Sequence, residues 1–167
     1  MAVSDPAGKA PARKSVAERL RHRLFHTYFR IARGMTLGVR GLALDAEGRV
    51  FLIRHTYVRG WQLPGGGVET GETLRQSLER ELAEEANIEM SGEPQLLGVY
   101  FNRHASRRDH VAVYVLRQFH QTAPKLPDHE IAASGFFPVT ALPEGTTPGT
   151  QARIQEALGL SPVTADW

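Results

Sequence analysis

Residues 66–88 read GGVETGETLRQSLERELAEEANI, a glycine-rich start followed by a strongly helical segment that extends to about Ala86. Thr73, followed three places later by Gln76, predicts a capping box at the start of this helix. Leucines recur at four-residue spacing and predict the buried face of the helix: Leu74, Leu78 and Leu82.

Three glutamates of this helix, Glu81, Glu84 and Glu85, stand at positions i, i+3 and i+4, which places their carboxylates on one face. Like charges at these spacings repel each other by a few tenths of a kcal/mol per pair, and helix formation does not require them. Clustered carboxylates are hard oxygen ligands that suit Mg²⁺ or Mn²⁺. The alternative is an acidic face that is only solvated.

The segment resembles the Nudix box, G-x5-E-x7-R-E-U-x-E-E-x-G-U, in which U is an aliphatic residue. It agrees with that pattern at eight of nine positions: Gly66, Glu72, Arg80, Glu81, Leu82, Glu84, Glu85 and Ile88. Asn87 replaces the last glycine, and Asn is the residue that best tolerates the left-handed conformation after Gly. The preceding segment, residues 61–66, and the strands around the box also resemble this family.

This resemblance implies an α/β fold, the Nudix α/β/α sandwich, with a mixed sheet between helices and a loop–helix–loop that presents metal ligands to a diphosphate. The positions that match metal ligands are Glu81, Glu84 and Glu85, with the carbonyl of Gly65 as a further candidate. Glu72 and Arg80 match positions that brace the loop and helix. The implied enzyme depends on Mg²⁺, with Mn²⁺ as a substitute. It hydrolyses the phosphoanhydride bond of a nucleoside diphosphate linked to a moiety X, using water activated by the metal.

The general base and the substrate contacts are less well defined by the sequence. Candidates for the base are Glu84, Glu85 and Glu130, of which Glu130 lies six residues before Phe136 and is equally compatible with a solvent-exposed acid. Arginines that could bind phosphate, or simply be solvated, are Arg54, Arg59, Arg103 and Arg107. The histidines His55, His104, His110 and His129 are assigned ordinary surface or core roles, and Trp61 a core role.

The identity of X stays open, because the sequence lacks the additional motifs of ADP-ribose, NADH and coenzyme A hydrolases of this family. A non-catalytic Nudix-like domain that binds a nucleotide or regulates a partner is the alternative function. Such domains usually lose glutamates of the box, whereas this chain keeps all four, so catalysis is favoured.

The rest of the chain predicts further strands and one short helix. Two apolar runs joined by a polar segment, residues 45–48, suggest a hairpin: Thr36–Leu44 and Val50–Arg54. Later strands are predicted at Leu96–Phe101, Val111–Phe119 and Ser134–Pro138, and a final helix at Thr150–Leu158.

The 167 residues suit one domain, expected at residues 35–160, and the absence of cysteine excludes disulfides and thiolate metal sites. Residues 1–14 are expected to form a disordered tail. Residues 15–34 are expected to form a basic amphipathic helix that packs on the domain or on a second copy in a homodimer. Residues 1–34 carry a net charge of +6 and the remainder −4, which is only weak evidence for a nucleic-acid partner, so no nucleic acid is expected to bind and the expected partner is a small nucleotide substrate. Without a signal peptide or membrane span, a cytoplasmic location is expected.

Overall fold

The helix predicted within residues 66–88 forms where its capping signals place it. In the computed structural model, which describes Phe25, Tyr28 and residues 34–167, helix α1 spans Leu74–Ala86. The Thr73 side chain accepts from the Gln76 backbone N–H, and the Gln76 side chain accepts from the Thr73 N–H. The helix ends at Asn87, whose φ of 52° is left-handed, so the asparagine fills the role of the expected glycine.

Seven strands and a second helix accompany α1 within residues 34–167. The strands are β1 (Thr36–Ala43), β2 (Arg49–His55), β3 (Ile88–Met90), β4 (Gln95–Phe101), β5 (Asp109–Leu116), β6 (Phe119–Gln121) and β7 (Ile131–Pro138). The second helix, α2, spans Pro148–Ala157. Thr147 caps α2, and the proline at its start has the fixed φ that a first helical turn needs.

The strands form a mixed sheet β1-β5-β4 and two pairs, β2-β7 and β3-β6. β1 runs parallel to β5, whereas the other pairs are antiparallel. Alternate residues of β1 and β2, together with Leu44 just after β1, enter two separate hydrophobic cores: Val39, Ala43, Phe51 and Ile53 pack with α1, and Leu42, Leu44, Val50 and Leu52 pack with Ile154 of α2. Helices therefore cover both faces of the strand layer, which is the predicted α/β/α sandwich.

The predicted hairpin between the first two strands is wrong. The turn itself forms, since the Asp45 N–H donates to the Arg49 carbonyl at 3.0 Å and Gly48 adopts a φ of 74°. Beyond a single bridge between Leu44 and Val50, the strands separate, and β1 pairs with β5 while β2 pairs with β7. Most of β2 and the second half of β1 are buried on both faces, and that burial sets the partners of the two strands more strongly than the short connection does.

The other elements differ from the predictions mainly at their ends. The strand predicted over Val111–Phe119 is β5 and ends at Leu116, and β7 begins three residues before the predicted Ser134. The short strands β3 and β6 were not predicted, and the final helix begins at Pro148.

The predicted tail and N-terminal helix lie outside the described residues, apart from Phe25 and Tyr28. The chain divides into two units, Met1–Gly34 and Met35–Trp167, and all the strands above belong to the second. None of the helices in the described residues has the length and apolar character needed to cross a membrane.

Candidate active site

The glycine-rich segment before α1 is held against the edge of β1 by backbone hydrogen bonds. The Gly41 N–H donates to the Pro64 carbonyl and the Val39 N–H donates to the Gly66 carbonyl, both at 2.9 Å. Gly65, between them, has a φ of 138°, and a Cβ there would collide with the Val39 carbonyl. Only glycine fits at this position, so the backbone of the segment is fixed beside α1.

A cavity of about 300 Å³ opens between this segment and α1. Its chemically functional lining comes from β1, the end of β2, the glycine-rich segment, α1 and the loop before β7: Arg40, His55, Gly65, Glu81, Glu85 and Glu130. The structure therefore brings together four residues that were predicted from the sequence: Gly65, Glu81, Glu85 and Glu130. Glu130 joins the others although it lies 45 residues after Glu85 in the chain.

Glu85 lies deepest among the charged groups of α1, with 6% of its surface exposed. Its Oε2 accepts a hydrogen bond from the Gly65 N–H at 2.6 Å, and its Oε1 is 3.5 Å from Nε2 of His55. Burial raises the pKa of Glu85 to about 7, although the bond from Gly65 and the charge of Arg40 oppose that rise. The carboxylate is thus costly to ionise where it stands, and a cation beside it would favour the ionised form.

Glu81 lies one turn before Glu85 and is 9% exposed, with its carboxylate against the backbone of Gly66. The neighbouring Arg80 donates from Nη1 to Glu81 at 2.6 Å and binds both oxygens of Glu72, at 2.9 and 3.1 Å. This pairing lowers the pKa of Glu72 to about 2, the hydrogen bond from Arg80 being the largest cause. Arg80 therefore ties the loop before α1 to the helix and orients Glu81.

Glu84 is placed differently from the other two glutamates of the helix face. Its side chain is 62% exposed, lies 3.5 Å from Nη1 of Arg80, and does not line the cavity. Across residues 34–167, no three His, Asp or Glu side chains stand close enough together to form a metal-binding group. The carboxylates that converge on the cavity from α1 are those of Glu81 and Glu85.

Arg40 was not predicted as a site residue, yet its guanidinium faces the same cavity. It donates from Nη1 to the Leu63 carbonyl at 3.0 Å and to the Gly65 carbonyl. Burial lowers the pKa of Arg40, while the charges of Glu85 and Glu81 raise it. A signal was present in the sequence, because a charged residue within the apolar run of β1 is unusual unless it is paired or functional.

His55 and Tyr57, at the end of β2 and just after it, also line the cavity. Their rings lie 5.0 Å apart, and the Tyr57 hydroxyl donates to Oε1 of Glu130 at 3.3 Å. Burial lowers the pKa of His55, and its Nδ1 has no hydrogen-bond partner in the part of the chain that the structure describes. His55 was assigned an ordinary role from the sequence, whereas the structure places it against Glu85.

The four arginines that were predicted as substrate contacts lie outside this cavity. Arg54, Arg103 and Arg107 are exposed and do not line this cavity, and neither does Arg59. Trp61 packs edge-on against Phe137, with ring centroids 4.8 Å apart, beside the core that contains α2.

The comparison with known families agrees with this geometry: the profile of the NUDIX domain matches residues 34–158. The chain belongs to the Nudix family. The match covers most of the chain and includes every strand and both helices described above.

Individual relatives match shorter stretches or only the fold. An RNA pyrophosphohydrolase from Methylococcus capsulatus is 40% identical over 58 residues, which are 35% of this chain and 30% of that protein. A MutT Nudix hydrolase from Burkholderia pseudomallei superposes with a TM-score of 0.63 at 24% identity, covering 72% of this chain and 96% of that one. An ADP-ribose pyrophosphatase from Streptococcus suis gives a TM-score of 0.59 at 20% identity, covering 77% and 94%. These structural likenesses show the fold alone.

The donors at the Nudix box fit a small divalent cation in their chemistry. Two carboxylates, Glu81 and Glu85, and the Gly65 carbonyl are hard oxygen ligands that face one cavity. Mg²⁺ is commonly held by one or two carboxylates together with water and substrate phosphate. The Gly65 carbonyl already accepts from Arg40, so an ion at this carbonyl would share it with that guanidinium or displace it.

Proposed function

We propose that the protein hydrolyses a phosphoanhydride bond in a nucleoside diphosphate linked to a further group X, with Mg²⁺ as its cofactor and Mn²⁺ as a substitute. The observation that carries this proposal is the convergence of two buried carboxylates, Glu81 and Glu85, and the Gly65 backbone on one cavity with Arg40. Acidic groups that hold a cation, beside a guanidinium that binds phosphate, match what a diphosphate needs.

Glu81, Glu85 and the Gly65 carbonyl would hold the ion, and Glu84 completes the proposed ligand set from its exposed place on the same helix. When bound, the ion supplies charge neutralisation for the phosphates and lowers the pKa of water. Arg80 and Glu72 have a supporting role, because their ion pair holds the loop before α1 against the helix. No side chain has to act as a nucleophile.

The water that attacks phosphorus needs a base, and we propose Glu130 for that step. Glu130 lines the cavity from the loop before β7, and the Tyr57 hydroxyl donates to one of its carboxylate oxygens. Glu85 already accepts from the Gly65 N–H, which leaves it better suited to holding the ion than to removing a proton. Glu84 and Glu85 remain the competing bases.

The names of the relatives guide the choice of substrates for a first test. RNA pyrophosphohydrolases match at 40% identity or below and over less than half of their length, and one fold neighbour is named an ADP-ribose pyrophosphatase. The panel therefore contains nucleoside triphosphates, ADP-ribose, nucleotide sugars, dinucleotides and an RNA with a 5′-terminal triphosphate. Each is incubated with Mg²⁺ or Mn²⁺, and release of monophosphate, pyrophosphate or phosphate is measured.

Variants decide between catalysis and the alternative function, nucleotide binding without turnover. Glu85→Gln should lower turnover of the best substrate about a thousandfold, and Glu130→Gln should lower kcat with little change in KM. Glu79→Gln, on the exposed side of α1, is the matched control and should leave both parameters unchanged. A panel in which nucleotides bind but none is hydrolysed would support the non-catalytic domain instead.

A further inference from the structure

The candidate base Glu130 stands at the end of a loop, residues 122–130, that connects β6 to β7. Loops are in general more mobile than the strands that they connect, whereas a general base must lie within hydrogen-bonding reach of the water that it deprotonates. A misplacement of about 1 Å can cost about a hundredfold in rate. The Glu130 carboxylate therefore needs other residues to fix its position.

Asp128 folds the end of this loop around its own carboxylate. Its Oδ1 accepts hydrogen bonds from the backbone N–H groups of Glu130, at 2.9 Å, and Ile131, at 2.7 Å. The Asp128 N–H donates to the Ile131 carbonyl at 2.9 Å, so these two residues bind each other in both directions. One carboxylate oxygen thus holds the peptide groups on both sides of the Glu130 Cα.

The other carboxylate oxygen of Asp128 binds a cation. Oδ2 accepts from Nζ of Lys125 at 2.6 Å, and the Lys125 carbonyl accepts from the Ser134 hydroxyl of β7 at 2.8 Å. The hydrogen bond from the Ile131 N–H, followed by the one from Lys125, holds the pKa of Asp128 well below its usual range. The carboxylate is therefore ionised at neutral pH, and its hydrogen bonds to the loop are charge-assisted.

The segment after β2 supports the same loop from outside. The Thr56 N–H donates to the Glu130 carbonyl at 2.9 Å, and the Thr56 hydroxyl donates to the His129 carbonyl at 3.0 Å. The Tyr57 hydroxyl donates to the Glu130 carboxylate at 3.3 Å. The backbone of Glu130 is thus bound at its carbonyl by Thr56 and at its N–H by Asp128.

We propose that Asp128 is a positioning residue, which holds Glu130 where its carboxylate can take a proton from the attacking water, a role that rests on the proposed function. Asp128 does not line the cavity, so it acts through Glu130 and not on the substrate. Asparagine is the conservative variant, because it keeps a side-chain oxygen that can accept from both N–H groups and loses only the charge.

The first test compares kcat and KM for the best substrate of the panel in the wild type, Asp128→Ala and Asp128→Asn. Asp128→Ala should lower kcat at least about tenfold and leave KM within about twofold, because the groups that line the cavity are unchanged. Asp128→Asn should restore most of the lost kcat. The matched control is Asp45→Ala, which removes a carboxylate that binds the Arg49 N–H at 2.7 Å in the turn between β1 and β2, and it should change neither parameter.

A double variant separates positioning from a general loss of structure. In Glu130→Gln the base is already absent, so adding Asp128→Ala should lower kcat by no more than about twofold. The positioning role is refuted if the two losses multiply, if Glu130→Gln leaves kcat unchanged, or if Asp128→Asn is as slow as Asp128→Ala.

Amide hydrogen exchange, followed by NMR, distinguishes this proposal from the proposed function because it requires no turnover. The Glu130 and Ile131 amides should exchange at least about tenfold faster in Asp128→Ala than in the wild type and remain protected in Asp128→Asn. Unchanged exchange in Asp128→Ala would overturn the positioning role even in an active enzyme. A wild type that hydrolyses nothing in the panel would overturn the proposed function, and with it the catalytic purpose of the turn, while faster exchange would still show that Asp128 holds the loop.

Discussion

Glu85→Gln should stabilise the metal-free protein at pH 8 while it destroys activity. The pKa of Glu85 is raised from 4.5 to about 7, so the folded state binds the proton more tightly than the unfolded state. Stability therefore rises as the pH falls from about 8 towards 4.5, and the cost of ionising the buried carboxylate is greatest at high pH. At 1.36 kcal/mol per pKa unit, that cost is about 3 kcal/mol at pH 8 and about 1 kcal/mol at pH 5.

Glutamine removes this cost, and its side-chain carbonyl can still accept the hydrogen bond from the Gly65 N–H. For a unit of this size, about 3 kcal/mol corresponds to a rise of about 10 °C in Tm. The assay is differential scanning calorimetry in EDTA between pH 5 and pH 8, comparing wild type, Glu85→Gln and the surface control Glu79→Gln.

Mg²⁺ should reverse the order of stabilities, because the ion favours the ionised wild-type carboxylate and loses a ligand in the variant. Turnover of the variant should fall about a thousandfold, equivalent to about 4 kcal/mol of transition-state stabilisation. A variant that melts at or below the wild type at pH 8, with a difference independent of pH, would refute the assignment of Glu85 as a desolvated carboxylate. Wild-type turnover by the folded variant at limiting Mg²⁺ would exclude α1 as the catalytic metal site.

Changes at three further positions test other parts of the structure. Arg153→Met should cost about 3–5 kcal/mol in urea denaturation, because the buried carboxylate of Glu156, 2.8 Å from Arg153, loses its cationic partner and keeps only the hydrogen bonds from Tyr100 and Thr164. Asn87→Ala should cost about 1–2 kcal/mol by the same measurement, since φ there is 52°, whereas Asn87→Gly should stay within about 0.5 kcal/mol of wild type. Arg40→Met should lower Tm in EDTA and enlarge the rise in Tm on adding Mg²⁺, because the Gly65 carbonyl is released and the repulsion between cations is removed; an unchanged Mg²⁺ response would contradict this.

The helix α1 was predictable because its signals are local. The capping pair Thr73 and Gln76, and the leucines spaced along one face, act within a few residues of each other. The pairing of β1 and β2 was not predictable in this way. The Asp45 turn reverses the chain as expected, but each strand finds its partner at β5 or β7, more than 60 residues further along. The strands β3 and β6 have three residues each, too few for any periodicity to show.

In the candidate site, too, the features set by local sequence were predictable and those set by tertiary contacts were not. The glutamates of α1 could be read from their spacing, because helical geometry alone places positions i and i+4 on one face. Their different environments could not, since Glu85 is buried by the glycine-rich segment while Glu84 is exposed. Arg40 and His55 join the site through the register of β1 and β2 with strands far along the chain. Those placements depend on contacts across the whole domain.

The electrostatics of the cavity favour a ligand that carries both signs of charge. Glu85 has a raised pKa and Arg40 a lowered one, and burial is the largest cause in each case. Each group is therefore disfavoured in its charged form, although each charge partly relieves the other. A cation alone would satisfy Glu85 and repel Arg40, whereas a free phosphate would satisfy Arg40 and repel Glu85. A divalent ion bound to a diphosphate satisfies both at once, so we infer that the metal and the diphosphate bind with positive cooperativity, each strengthening the affinity for the other by the same factor.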